Sequence, residues 1–506
     1  MTEGGTADGT GLSPIFGLDP TFARERGEMK VLFATSEVSP LATAGGLGDV
    51  MGSLPMALAG LGCEISVVIP AYRSALERLE EWNVAARDLP LTMGKRDLTV
   101  EILRGELDMD LPVYLVRRDE YFDREGIYGT ERGEYFDNPE RFIFFSRAIP
   151  PLCSALSLGP DIVLANDWET GLVMALMDQG AIPGASGVFA IHNMGYHGLV
   201  PAEAVEKLGL ADRYLGMEGL EFYGSMSLLK AGIVYARRVV TVSPTYALEI
   251  QTPEFGFGLD GLIRSVSGRL HGILNGADYR VWNPETDEYI VSSYSPRDPG
   301  GKALCKEDLL RAMGLDPGLM KRPLAGMVTR LVEQKGCRLV AEAADRLFEM
   351  GMGLVVLGSG EKVYEEMFLG LQSRYPDRFA LRLGFDTGLA HRIVAGSDLF
   401  LVPSLYEPCG LTQIYSLKYG TVPVVRATGG LKDTVIDPRE KEDLSTGFKF
   451  HPFRAEALVE GVTRAVRTYG QPRLWQEMML RGMNEDFSWD RSAREYLRLF
   501  EMTVSG

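Results

Sequence analysis

The sequence predicts an α/β protein built from two similar domains that face one cleft. Three observations carry this. Short runs of Val, Ile, Leu and Phe alternate with helical patterns, as in a mostly parallel sheet covered on both faces. The pattern fades after about residue 243 and restarts near residue 323. The pentapeptide Gly-Gly-Leu-x-Asp occurs once in each half, as Gly45-Gly46-Leu47-Gly48-Asp49 and as Gly429-Gly430-Leu431-Lys432-Asp433.

In the first half, strands are expected at 29–35, 63–70, 111–116, 161–166, 187–192 and 238–243. A turn at 44–47 leads from the first strand into a helix that reaches about Gly60. In the second half, strands are expected at 323–330, 353–357, 379–384, 399–403 and 422–425, with a helix at 336–350. Residues 282–301 are rich in Pro, Asp, Glu and Ser and lack periodicity, and the hinge is expected just before them, at 275–278. A chain of 506 residues is too long for one core, which favours two domains of about 200–250 residues. The expected division is 29–278, 279–485 and a final segment 486–506. Ligands of open parallel sheets bind beyond the carboxyl ends of the strands. Both glycine turns should therefore line the cleft, with amide N–H groups free to point at an anion.

Bulk properties narrow the function. A net charge of −17 gives no electrostatic case for nucleic acid or an anionic membrane. Five scattered cysteines without metal-ligand spacing fit free thiols in a reducing compartment. Residues 1–28 are rich in Gly, Thr and acidic residues and lack the features of a signal peptide, so a disordered tail is expected there. No apolar run approaches the roughly 20 residues of a membrane span. A cytoplasmic location is expected.

Four constellations carry possible chemistry. Arg330 ends a strand and Lys335 begins a helix, a pairing suited to a diphosphate or to an ordinary polar loop. In Tyr406-Glu407-Pro408-Cys409-Gly410-Leu411-Thr412-Gln413, a carboxylate follows a strand and Gly410, Leu411 and Thr412 open a helix. Glu407 could hold sugar hydroxyls or only favour the helix dipole. Asp167 and His192 end neighbouring strands of the first half, where a small polar ligand would sit. Asn275-Gly276-Ala277-Asp278 reads as a turn. Asp108-Met109-Asp110 matches a metal-binding pattern in form, but it lies in an apparent hairpin loop, and no metal is expected.

These motifs together resemble the bacterial glycogen synthases and plant starch synthases, from about Met29 to Phe500. The resemblance rests on Ser36-Glu37, Gly45-Gly46-Leu47-Gly48-Asp49-Val50, Asn166-Asp167-Trp168, His192-Asn193, Leu274-Asn275-Gly276, Arg330-Leu331, Gln334-Lys335-Gly336, Glu407 through Gln413, and Asp486-Phe487-Ser488-Trp489. It implies a GT-B fold: two Rossmann-like domains around a deep inter-domain cleft, with the last helix crossing back to the first. It implies transfer of glucose from ADP-glucose to the non-reducing end of an α-1,4-glucan with retained configuration and no cofactor. Glu407, Arg330, Lys335, Asp167 and His192 would carry the reaction. Gly45, Gly46, Asp49, Asn275, Gly410, Leu411 and Thr412 would bind the donor. Two positions depart from the family pattern. The usual Lys-x-Gly-Gly-Leu lysine is Thr43, which removes a charge near the donor, and Glu169 stands where histidine is common. Thr43 would also fit a glucan-binding or regulatory relative with little turnover; a glucan synthase using another nucleotide-glucose donor, such as UDP-glucose, is a separate alternative.

Overall fold

The computed structural model describes residues 28–130 and 133–505. The tail expected over 1–28 lies, apart from Glu28, outside the described residues. Two open sheets organise the chain. In chain order the first contains β1 (Lys30–Ala34), β2 (Glu64–Pro70), β3 (Asn83–Met93), β4 (Arg96–Leu107), β5 (Leu111–Arg117), β6 (Ile162–Asn166), β7 (Ser186–Ile191), β8 (Arg238–Thr241) and β9 (Leu270–Gly272). Its spatial order is β9-β8-β7-β6-β1-β2-β5-β4-β3. The second contains β10 (Leu324–Val328), β11 (Gly353–Gly358), β12 (Phe379–Leu383), β13 (Leu399–Val402), β14 (Val422–Arg426) and β15 (Phe448–Phe450), ordered β12-β11-β10-β13-β14-β15.

The central strands read as continuous apolar runs because helices cover both faces. Val67, Val68 and Ile69 of β2 are fully buried, as are Leu354, Val355 and Val356 of β11. Burying each such side chain contributes roughly 1.5–3 kcal/mol. The second sheet is parallel throughout. The first is not. Strands β3 and β4 form a hairpin across Gly94 and Lys95, and β4 continues antiparallel to β5. That edge escapes a search for buried parallel strands because one face of β3 is open to water.

Two segments cross between the domains side by side. Ala277 N–H donates to the Phe487 carbonyl (2.7 Å), and Ser492 Oγ donates to the Leu274 carbonyl (2.5 Å). The helix Trp489–Ser505 then packs Ala493, Tyr496, Leu499 and Phe500 into the core of the first domain. Just beyond the first crossing, Trp282 is sandwiched between His391 and Tyr415, with centroids 3.8 and 4.2 Å away. Among the described residues, no helix is long and apolar enough to cross a membrane, and all five cysteines are buried and unpaired.

Candidate active site

The loops beyond the carboxyl ends of both sheets meet in the cleft. The loop after β13 carries Ser404 to Cys409. Glu407 is almost fully buried, and its carboxylate accepts from Lys335 Nζ (2.9 and 2.6 Å) and Ser404 Oγ (2.8 Å). Lys335 reaches it from the short turn after β10. Arg330, in the same loop, is exposed; its carbonyl accepts from the Val332 amide (3.0 Å), and its side chain makes no hydrogen bond or ion pair among the described residues. One cation is thus fixed against a buried carboxylate while a second stands open beside it.

Gly410 adopts φ 73°, a left-handed backbone that favours glycine, and a Cβ there would press on Gln413 Oε1 at 2.5 Å. Leu411 caps the helix Thr412–Lys418. The Gly410 and Leu411 amides find no acceptor among the described residues, as expected at a helix start. Asn275, at the crossing, is buried with Oδ1 unpartnered, and its backbone contacts the Cys409 thiol.

From the first domain, the Asp167 carboxylate accepts the His192 and Asn193 amides (2.7 and 3.3 Å), so β6 and β7 are clamped at their ends. Burial raises its carboxyl above the usual range, and Glu37 adds to this. The His192 ring is pushed down to about 4 by burial and is neutral at pH 7. Asn166 Nδ2 donates to the Ala34 and Leu164 carbonyls, which turns its Oδ1 toward His192 Nε2 at 3.0 Å. By this network Nε2 carries the proton and Nδ1 is left as an acceptor.

The two glycine turns differ from what the sequence predicts. At the first, Glu37 takes the Ala44 and Gly45 amides (2.6 and 2.9 Å), and open space surrounds the Cβ positions of Gly45 and Gly46. Asp49 lies in the first turn of the helix that follows, Gly46–Ala59. Burial, with Glu37 and Asp278, pushes its carboxyl to about 6, although its exposure to water moderates the effect. At the second, the expected free amides are absent. Gly429 N–H donates to Glu249 of the first domain (3.0 Å) and Gly430 N–H to the Pro408 carbonyl (3.2 Å). A Cβ on either glycine would collide with the Glu407 or Cys409 carbonyl. These glycines let two loops touch; they do not cradle an anion.

Three further residues beyond strand ends escape sequence reasoning as functional candidates. Glu37 enters the sequence reading only as part of the Ser36-Glu37 motif, with no role given to it; its signal is a carboxylate at a strand end eight residues before Gly45. Tyr406 crosses the cleft, with its ring 5.4 Å from Phe257 and its hydroxyl bonded to Asn193. Phe385 is 93% exposed just beyond the carboxyl end of β12, a place where an unburied aromatic is itself the signal. Among the described residues, no cluster of three or more His, Cys, Asp or Glu could hold a metal ion, Asp108 and Asp110 included.

Similarity to known proteins spans nearly the whole chain. Residues 30–265 match the starch synthase catalytic domain, and residues 317–477 match the glycosyl transferases group 1. The glycogen synthase of Desulfatibacillum aliphaticivorans is 49% identical over 478 residues, covering 94% of this chain and 99% of that protein. That of Syntrophotalea carbinolica is 44% identical over 481 residues, covering 94% and 99%. The catalytic domain of starch synthase IV from Arabidopsis thaliana, bound to ADP and acarbose, matches with a TM-score of 0.88 and 32% identity over 95% of this chain and 100% of that one. A sucrose-phosphate synthase from Thermosynechococcus elongatus (TM-score 0.59, 17% identity) shares the fold. The chain belongs to the glycogen and starch synthase family of glycosyltransferases and has its GT-B fold.

Proposed function

We infer that the protein is a glycogen synthase that moves glucose from ADP-glucose to the 4-hydroxyl at the non-reducing end of an α-1,4-glucan, with retention. The observation that carries this reading is the Lys335–Glu407 pair beside the unpartnered Arg330. The second domain, 279–485, is read as the donor half and the first, 29–278, as the acceptor half.

Lys335 and Arg330 would hold the diphosphate, with the Gly410 and Leu411 amides as further donors and Phe385 as a flat face for the base. As the bond between glucose C1 and the phosphate oxygen breaks, negative charge grows on ADP, and fixed cations stabilise it most at that moment. The acceptor O4 bonds to C1 on the face that ADP leaves, and its proton passes to the departing phosphate. Glu407, Asp167 and His192 would orient the glucose. The neutral His192 ring suits a sugar hydroxyl, and the Asn275 Oδ1 gives a further acceptor. Gly45, Gly46 and Asp49 would close the cleft over the donor. The ADP and acarbose bound to the starch synthase relative support the pairing of nucleotide donor and glucan acceptor.

The test is direct. Purified protein with glycogen should release ADP from ADP-glucose, with ADP-glucose preferred over UDP-glucose in competition. Folded protein that releases none would overturn the reading. Lys335→Ala should lower kcat by about 100- to 1,000-fold, the loss expected for one fixed charge at the reacting centre.

A further inference from the structure

A row of aromatic rings runs from the reaction centre to open solvent, and the transfer chemistry does not use it. It starts at Tyr406, next to Glu407, and passes to Phe257 across the cleft. Phe257 is followed by Gly258, where a Cβ would stand 3.1 Å from Phe222 Cζ and 3.6 Å from Tyr223 Cε2. Phe222 packs against Tyr223 with centroids 4.8 Å apart, and against His197 at 4.6 Å. His197 belongs to the loop that also carries His192 and Asn193. Exposure grows outward: Tyr406, Phe257 and Phe222 are half-buried, and Tyr223 is 85% exposed.

The backbone holds these rings at a cost. Tyr223 and Gly224 form the two-residue tip of a hairpin between Glu221–Phe222 and Ser225–Ser227, with φ 46° and 85°. A tip of this kind favours Asn or Gly at its first position. Phe257, followed by its own glycine, also has positive φ, 48°. A bulky residue held there costs on the order of 1 kcal/mol or more and persists where the surroundings enforce it, commonly at ligand sites. Tyr223 buries little in return, so packing within the protein does not account for it.

We propose that Tyr406, Phe257, Phe222 and Tyr223 form a track that binds the acceptor glucan behind its reacting end, glucose units stacking on the rings out to Tyr223. The C–H faces of a pyranose meet the electron-rich faces of aromatic rings favourably. A neutral chain also suits a protein with a net charge of −17. The track deepens the glycogen-synthase reading and rests on it for the identity of its ligand. It explains why the strained tip carries a tyrosine.

Acceptor length tests it. The wild-type preference in kcat/KM for maltoheptaose over maltotriose should fall about 3- to 10-fold in Tyr223→Ala, the loss of one aromatic stack, and survive in Tyr223→Phe. Calorimetric affinity of the ADP-loaded protein for maltoheptaose should fall by a similar factor in Tyr223→Ala. An unchanged preference, or equal losses on both acceptors, would overturn the track, as would wild-type protein that binds no maltoheptaose. If no glucose were transferred from ADP-glucose, the catalytic reading would fall, and the binding comparison would still decide the track.

Discussion

The same five-residue pattern serves opposite ends in the two halves. At the first glycine turn, open space lies over Gly45 and Gly46, and the carboxylate that takes the turn's amides, Glu37, comes from the same domain. At the second, Gly429 and Gly430 are pressed against the Glu407 and Cys409 carbonyls, and the carboxylate is Glu249 of the opposite domain. Thr245 reinforces that contact through its amide and hydroxyl, both bonded to Asp433 (2.9 and 2.6 Å). One turn faces open space and the other is a latch between domains. A local motif specifies a strand-to-helix turn; what stands above the turn specifies its use.

Substitution of the glycines gives the largest expected contrast. Gly430→Ala places a methyl group into the Cys409 carbonyl and should destabilise the protein by about 1–3 kcal/mol, with loss of turnover because Glu407 shares that loop. Gly46→Ala adds a methyl group to open space and should leave the melting temperature within a few degrees while weakening ADP-glucose binding. Thermal melts of the two variants check this, and equal destabilisation would erase the contrast.

A smaller effect is expected at Thr43, whose methyl lies 2.7 Å from the Cβ position of Gly48 at the edge of the first turn. Thr43→Lys should lower KM for ADP-glucose by up to about tenfold, as one added cation near a diphosphate contributes on the order of 1 kcal/mol at a solvated site. The reverse sign, or no change, would mean that the open space is not the donor's.

The smallest effect concerns what lies beneath the first turn. Glu37 accepts from the Tyr128 hydroxyl (2.7 Å), and Tyr128 also reaches Glu169, a buried carboxyl with one unpartnered oxygen. Burial, then Asp167, raises Glu169 well above its ordinary value of 4.5. The folded state therefore keeps a proton that the unfolded chain has released, and stability falls as pH rises above about 4.5 toward the folded value. Glu169→Gln removes that dependence. It should raise the melting temperature at pH 8 by a few degrees, with the gain shrinking toward pH 5. A gain independent of pH would place the effect elsewhere.

Much of the frame is legible in the sequence because buried parallel strands need unbroken apolar runs, and the strands carrying Asn166, Ile191, Val328 and Val402 have them. The hairpin of β3 and β4 is not, since its half-exposed strands mix polar and apolar residues. Asp167 and His192 directly follow strands and Lys335 and Glu407 lie in loops after them, so order along the chain already brings them to the carboxyl edges of the sheets. The use of the second turn depends on Glu249, 180 residues away from Gly429. The aromatic row likewise unites Tyr223, Phe257 and Tyr406 from three separate loops. Contacts of that kind leave no local periodicity to read.

The paired crossing at Ala277 and Phe487 has a consequence for inheritance. The chain enters and leaves the second domain at neighbouring points, so that domain is an insert spliced into the first, whose last helix closes behind it. The residues read here as meeting the nucleotide and those read as meeting the glucan therefore lie mostly on separate stretches of chain. Exchange of one continuous segment between relatives could alter the choice of donor without rewriting the surface that grips the polymer.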